Sequence, residues 1–127
     1  MGRIRFDRHL ESDPDELRPP AAVELRFRAR MEGGPGAVEL VYRLPEGGPV
    51  AFEVDGEPTP SLSPEDAVTL PGDGEEPPRE VVRSARIVWA GSGPARDPDT
   101  ALLTATLRPV DGGRSRGTRT MLTLRAE

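Results

Sequence analysis

The stretch AVELRFRARM, residues 22–31, decides the fold. Val23, Leu25, Phe27, Ala29 and Met31 share one parity; Glu24, Arg26, Arg28 and Arg30 share the other. Successive side chains of a β-strand point to opposite faces, so this alternation describes a strand with one dry face and one wet face. A helix would scatter the same apolar residues around its circumference.

The rhythm recurs on both sides of this stretch. Upstream, Arg3 to Phe6 alternates briefly. Downstream, the turn EGGPG leads to AVELVYRL (37–44), with Val38, Leu40, Tyr42 and Leu44 in register. PEGG breaks the run, and PVAFEV (49–54) follows. Asp55-Gly56 then offers two residues that tolerate positive φ, the requirement of a tight hairpin. DAVTL (66–70), REVVRSARIVWA (79–90), TALLTATLRPV (100–110) and GTRTMLTLRA (117–126) complete the series. The spacing predicts an all-β chain, an antiparallel β-sandwich of about seven to eight strands forming a single domain over 1–127. Residues 7–20 read as an N-terminal arm, and 71–78 (PGDGEEPP) as an exposed acidic loop. SDPDEL (12–17), SPEDAV (63–68) and RDPDTA (96–101) carry helix-start chemistry with no helical run behind it, and read as one-turn helical corners.

Composition narrows the function. All 17 basic residues are arginine, and the chain has no Cys, Lys, Asn or Gln. Disulfides, zinc–thiolate sites and cysteine nucleophiles are thereby excluded. The formal charge is −5, unevenly distributed. Residues 45–78 hold nine acids and no arginine, whereas 79–127 hold nine arginines and five acids. Affinity for DNA or RNA rests on neutralising phosphates, so a net-acidic chain leads to the expectation of no nucleic-acid partner. The N-terminal sequence has no apolar core like that of a signal peptide, and no stretch approaches ~20 apolar residues. The expectation is a soluble, cytoplasmic or intracellular protein without a membrane partner.

Two arginine groups are the candidate partner-binding residues. Arg26, Arg28 and Arg30 line the wet face of the opening strand, where they either grip an anion or pair with Glu39 or Glu53 on neighbouring strands. Arg114, Arg116 and Arg119 lie at or near a glycine-rich hairpin tip. The acids at 13/15, 97/99 and 73/75/76 lack the spacing of a calcium loop, so no metal and no cofactor is expected. His9 is the sole histidine, which leaves no triad or multi-histidine site. Phe27, Tyr42, Phe52 and Trp89 fall on apolar faces. These readings favour a non-enzymatic, non-catalytic interaction or assembly subunit, acting through charged surfaces and strand edges on another protein or on copies of itself. It would be a structural component of a larger particle in one version. The alternatives are a small-ligand or carbohydrate-binding module and a small carboxylate-based enzyme.

Overall fold

The computed structural model of the chain describes residues 3–63, 67–74, 77–90 and 99–125. Among these residues the chain forms strands and no helix. The strands are β1 (Arg3–Asp13), β2 (Glu16–Leu17), β3 (Ala21–Glu32), β4 (Gly36–Arg43), β5 (Val50–Val54), β6 (Glu57–Thr59), β7 (Ser61–Leu62), β8 (Val68–Leu70), β9 (Arg79–Trp89), β10 (Asp99–Pro109) and β11 (Arg116–Leu124). They build two sheets, ordered β1-β3-β9-β5-β6 and β2-β11-β10-β4-β7, with β8 also paired to β4. All pairings are antiparallel except β2 on β11. With the seven main strands lettered A to G in chain order, the sheets read A-B-E-D and G-F-C. That is the strand order of a constant-type immunoglobulin domain.

The two-residue rhythm explains the layers. On β3, Val23, Leu25, Phe27, Ala29 and Met31 are buried, as are Val38, Leu40 and Tyr42 on β4 and Leu103, Ala105 and Leu107 on β10. These inward faces join in one core cluster with Ile4, Leu10, Leu17, Phe52, Ile87 and Leu122. Each fully buried side chain of this size contributes ~1.5–3 kcal/mol relative to exposure, so the parity of the sequence fixes which faces meet. The turns follow their glycines. Asp55 (φ 52°) and Gly56 (φ 80°) close the two-residue hairpin from β5 to β6. Gly112 (φ 94°) and Gly113 (φ 137°) turn β10 into β11.

Several details differ from the sequence reading. Residues 7–13, expected within an arm, belong to β1, which pairs along β3 from Arg3↔Glu32 to Asp13↔Glu24. Register shifts fall between Phe6 and Arg8 and between Arg8 and Glu11, and polar Arg8 and Ser12 hold the even positions on either side of Leu10, which hides the strand from a period-2 search. Residues 12–17 form the end of β1, a bend and β2 instead of a helical corner. In the second expected corner, residues 64–66 lie outside the described residues; in the third, 96–98 do, and Asp99 already starts β10. The acidic loop is tethered at its start: Met31 N donates to Pro71 O at 2.8 Å, and Gly33 N donates to Asp73 Oδ2 at 3.3 Å. β2, β6 and β7 are two or three residues long, too short for periodicity to show.

Candidate functional site

Arg26, Arg28 and Arg30 all lie on the outer face of the first sheet, and all are engaged by acids. Arg26 pairs with Glu24 two residues away on its own strand. Arg28 reaches Glu80 of β9 through Nε and Nη2, at 3.1 and 3.0 Å. Arg30 forks onto Asp7 of β1, with Nε to Oδ1 at 3.0 Å and Nη2 to Oδ2 at 2.9 Å. The Asp7 hydrogen bond, opposed by partial desolvation, raises the Arg30 pKa above its ordinary range. The partners are therefore not the expected Glu39 and Glu53, which instead hold Arg108 and Arg86. Register decides this: β3 is flanked by β1 and β9, so its arginines meet acids from those strands.

A different set of arginines gathers on the second sheet and the adjoining edge. On the outer face, Thr104 of β10 stands directly opposite Arg43 of β4 and directly opposite Arg119 of β11. The two arginines thus flank one threonine, about 10 Å apart by two strand spacings. Beside this row, Thr106 faces Gly117. His9, Thr104, Thr106, Gly117, Thr118 and Arg119 line an open groove. His9 also lines a second depression with Arg3, Arg5, Phe6, Glu32 and Arg116, so the two form one band across the β1–β11 edge. Arg3, Arg5, Arg43, Arg116 and Arg119 form no ion pair among the described residues, nor do Arg18, Arg79 and Arg83 elsewhere, whereas Arg8, Arg26, Arg28, Arg30, Arg86, Arg108 and Arg125 do. Arg114 sits in the exposed β10–β11 turn, also outside any such pair.

Thr118 fixes the wall of the groove. It is the one buried polar residue among those described, at 4% exposure. Its Oγ1 accepts the Leu10 N–H at 2.9 Å and lies 3.0 Å from His9 Nδ1. The Leu10 amide falls in the register shift of β1, so Thr118 supplies the acceptor that the β3 ladder does not. With two lone pairs and one proton, the Thr118 hydroxyl can accept from Leu10 and still serve His9 Nδ1 as donor or as acceptor, according to the imidazole tautomer.

The opposite edge of the sandwich is acidic. β5, β6, β7 and β8 come from residues 45–78, the segment without arginine, and β6 and β7 are the far strands of their sheets from β1 and β11. The net charge of −5 is therefore an average over two unlike edges. Of the predicted residues, the structure brings Arg116 and Arg119 together and keeps Arg26, Arg28 and Arg30 apart from them. Arg3, Arg5, Arg43, His9, Thr104 and Thr106 were not singled out by sequence reasoning. The parity of TALLTATLRPV carried part of the signal, because it sets Thr104 and Thr106 outward between Leu103, Ala105 and Leu107.

The alternative sites find less. Phe27, Tyr42 and Phe52 are buried, and Phe6 and Trp89 pack against the core, so the described residues present no open aromatic platform. No group of three or more His, Asp or Glu that could hold a metal occurs among the described residues. The described residues also contain no helix long and apolar enough to cross a membrane.

No family model and no curated protein matches the sequence. Among solved structures, the chain is similar to the Pseudomonas fluorescens alkylpurine DNA glycosylase AlkC bound to DNA containing an abasic site analog. The TM-score is 0.58 and the identity 12%, over 97% of this chain and 30% of that one. The likeness is one of fold, and the chain spans under a third of the glycosylase. It nevertheless corrects two expectations. A sandwich of this kind occurs within a DNA-bound protein, so neither the exclusion of nucleic acid nor the assignment to an assembly subunit stands. The physical fault lay in judging phosphate affinity from net charge, which does not register that Arg3, Arg5, Arg43, Arg116 and Arg119 stand outside the ion pairs that engage other arginines.

Proposed function

We propose that the chain is a nucleic-acid-binding β-sandwich module without a catalytic centre of its own, holding phosphates on the face formed by β1, β4, β10 and β11. The observation that carries this reading is the sorting of arginines. Arg26, Arg28, Arg30 and Arg86 on the first sheet hold acids, whereas Arg3, Arg5, Arg116 and Arg119 line one band with threonine hydroxyls and a histidine, and Arg43 stands opposite Thr104 beside it, none of these five in an ion pair among the described residues. Arginine forks and hydroxyl donors are the groups that contact phosphate oxygens. The fold likeness to a DNA-bound glycosylase supports the same reading. Chemistry on the nucleic acid would belong to another domain or chain, since fold alone confers no activity.

Fluorescence anisotropy with a labelled DNA duplex at 50 mM salt tests this. The protein binds, and replacing Arg3, Arg5, Arg43, Arg116 and Arg119 together by Ala abolishes binding while the thermal melt stays cooperative. Replacing Arg26, Arg28 and Arg30 leaves most of the affinity. No binding by the parent protein, or equal loss in both variants, refutes the proposal.

A further inference from the structure

We infer that the ligand of this face is the sugar–phosphate backbone of duplex DNA, held without base readout; this rests on the nucleic-acid reading above and deepens it. Proteins that bind single strands stack bases on aromatic side chains. Here Phe27, Tyr42 and Phe52 are buried, and Phe6 and Trp89 belong to the core packing. The groove carries one ring, His9, and the adjoining depression one more, the partly buried Phe6, which is no run of exposed aromatic faces for successive bases.

The major groove of a duplex, where each base pair is distinguishable, admits a helix or a narrow two-stranded ribbon. The described residues contain no helix, and the row Ser61, Arg43, Thr104, Arg119 spans four strands. A surface of that breadth rests across phosphate ridges instead of entering a groove. The chain also lacks Asn and Gln, the side chains that pair bidentately with adenine. What remains is a phosphate set: two arginines about 10 Å apart across Thr104, the adjoining Thr106 hydroxyl, the His9 ring, and Arg3, Arg5 and Arg116 continuing over the edge. Glu32 is the one acid lining this band. Beyond Arg43, β4 pairs with β7 and β8 from the segment without arginine, whose acids repel a polyanion and so bound the face on that side. One place could reach a base: Arg114, at the β10–β11 hairpin tip.

The test measures affinity of the full chain by anisotropy for two duplexes of unrelated sequence, a single strand of the same length and an RNA duplex. It is repeated for Arg114→Ala, for the Arg43→Ala/Arg119→Ala pair and for Arg28→Ala as a control, with melting curves to confirm folding. The inference expects the two DNA duplexes to agree within about twofold, where a sequence reader would separate them by ~10³ or more. The single strand and the RNA duplex bind more weakly than the DNA duplexes. Arg114→Ala and Arg28→Ala change little, and the double variant loses affinity equally for both sequences. Tighter binding to the single strand or to RNA overturns the inference, as does a sequence preference abolished by Arg114→Ala; each leaves the nucleic-acid reading intact. No binding to any of the four probes overturns that reading itself.

Discussion

Replacing Thr118 with Val isolates the contact that ties β1 across β11. The two side chains have nearly the same shape, so the site stays filled and only the hydroxyl is lost. Thr118 Oγ1 accepts the Leu10 N–H at 2.9 Å, at a register shift where the β3 ladder offers no acceptor. Leaving a buried amide unpaired costs ~1–3 kcal/mol. The added methyl returns ~0.8 kcal/mol of burial, so the net loss is about 0.2–2 kcal/mol. Urea unfolding of a small domain has a slope of ~1–3 kcal/mol per molar, so at mid-range the midpoint falls by roughly 0.1–1 M. Thr118→Ser keeps the hydroxyl and retains the Leu10 bond. Hydrogen exchange gives the local readout: the Leu10 amide is protected in the parent and in Thr118→Ser, and exchanges freely in Thr118→Val. Unchanged stability together with a protected Leu10 amide in Thr118→Val would refute the anchoring role.

The other predictions concern the core and a turn. Burial raises the pKa of the Tyr42 phenol well above the ordinary ~10, against a smaller opposing effect of Arg83. The folded state therefore keeps a proton that the unfolded chain releases above pH ~10, and stability falls by about 1.4 kcal/mol per pH unit beyond that point. Denaturation at pH 9, 10 and 11 should show this fall for the parent and not for Tyr42→Phe. At neutral pH, Tyr42→Phe is neutral or stabilising, because the hydroxyl is buried with no hydrogen-bond partner. A Cβ on Gly72 would meet the Gly34 backbone and Pro35 N at 2.8 Å. Gly72→Ala should therefore cost ~1–3 kcal/mol by overpacking, read as a lower urea midpoint. Leu103→Ala opens a cavity at a fully buried position of β10 and should cost ~2–5 kcal/mol in the same assay.

Much of the architecture was legible in the sequence, because parity and burial are the same quantity seen twice. The alternation at 22–31 marks β3 and its inward face, and Asp55-Gly56 marks the hairpin after β5. β1 was missed beyond Phe6 because polar Arg8 and Ser12 hold the even positions on either side of Leu10, which alone of that part reaches the core. The candidate site was only partly legible. Outward threonines and arginines on β10 and β11 can be read from parity, but their pairing with Arg43 depends on the β4–β10 register, a non-local fact. The same register determines which arginines find an acid. Arg28 and Glu80 are 52 residues apart in sequence and 3.0 Å apart in space, which no local pattern reveals. Net charge misled for the same reason: it discards position.

The salt dependence of duplex affinity tests the central claim most directly. Each phosphate neutralised adds about −0.9 to the slope of log affinity against log salt. Five arginines in contact give a slope near −4.5, or a roughly 500-fold loss of affinity between 50 and 200 mM salt. Arg43→Ala combined with Arg119→Ala should flatten the slope by about 1.8, while Arg28→Ala should leave it unchanged. A slope near zero, or one that Arg28→Ala alters as much as the Arg43/Arg119 pair, would contradict the account.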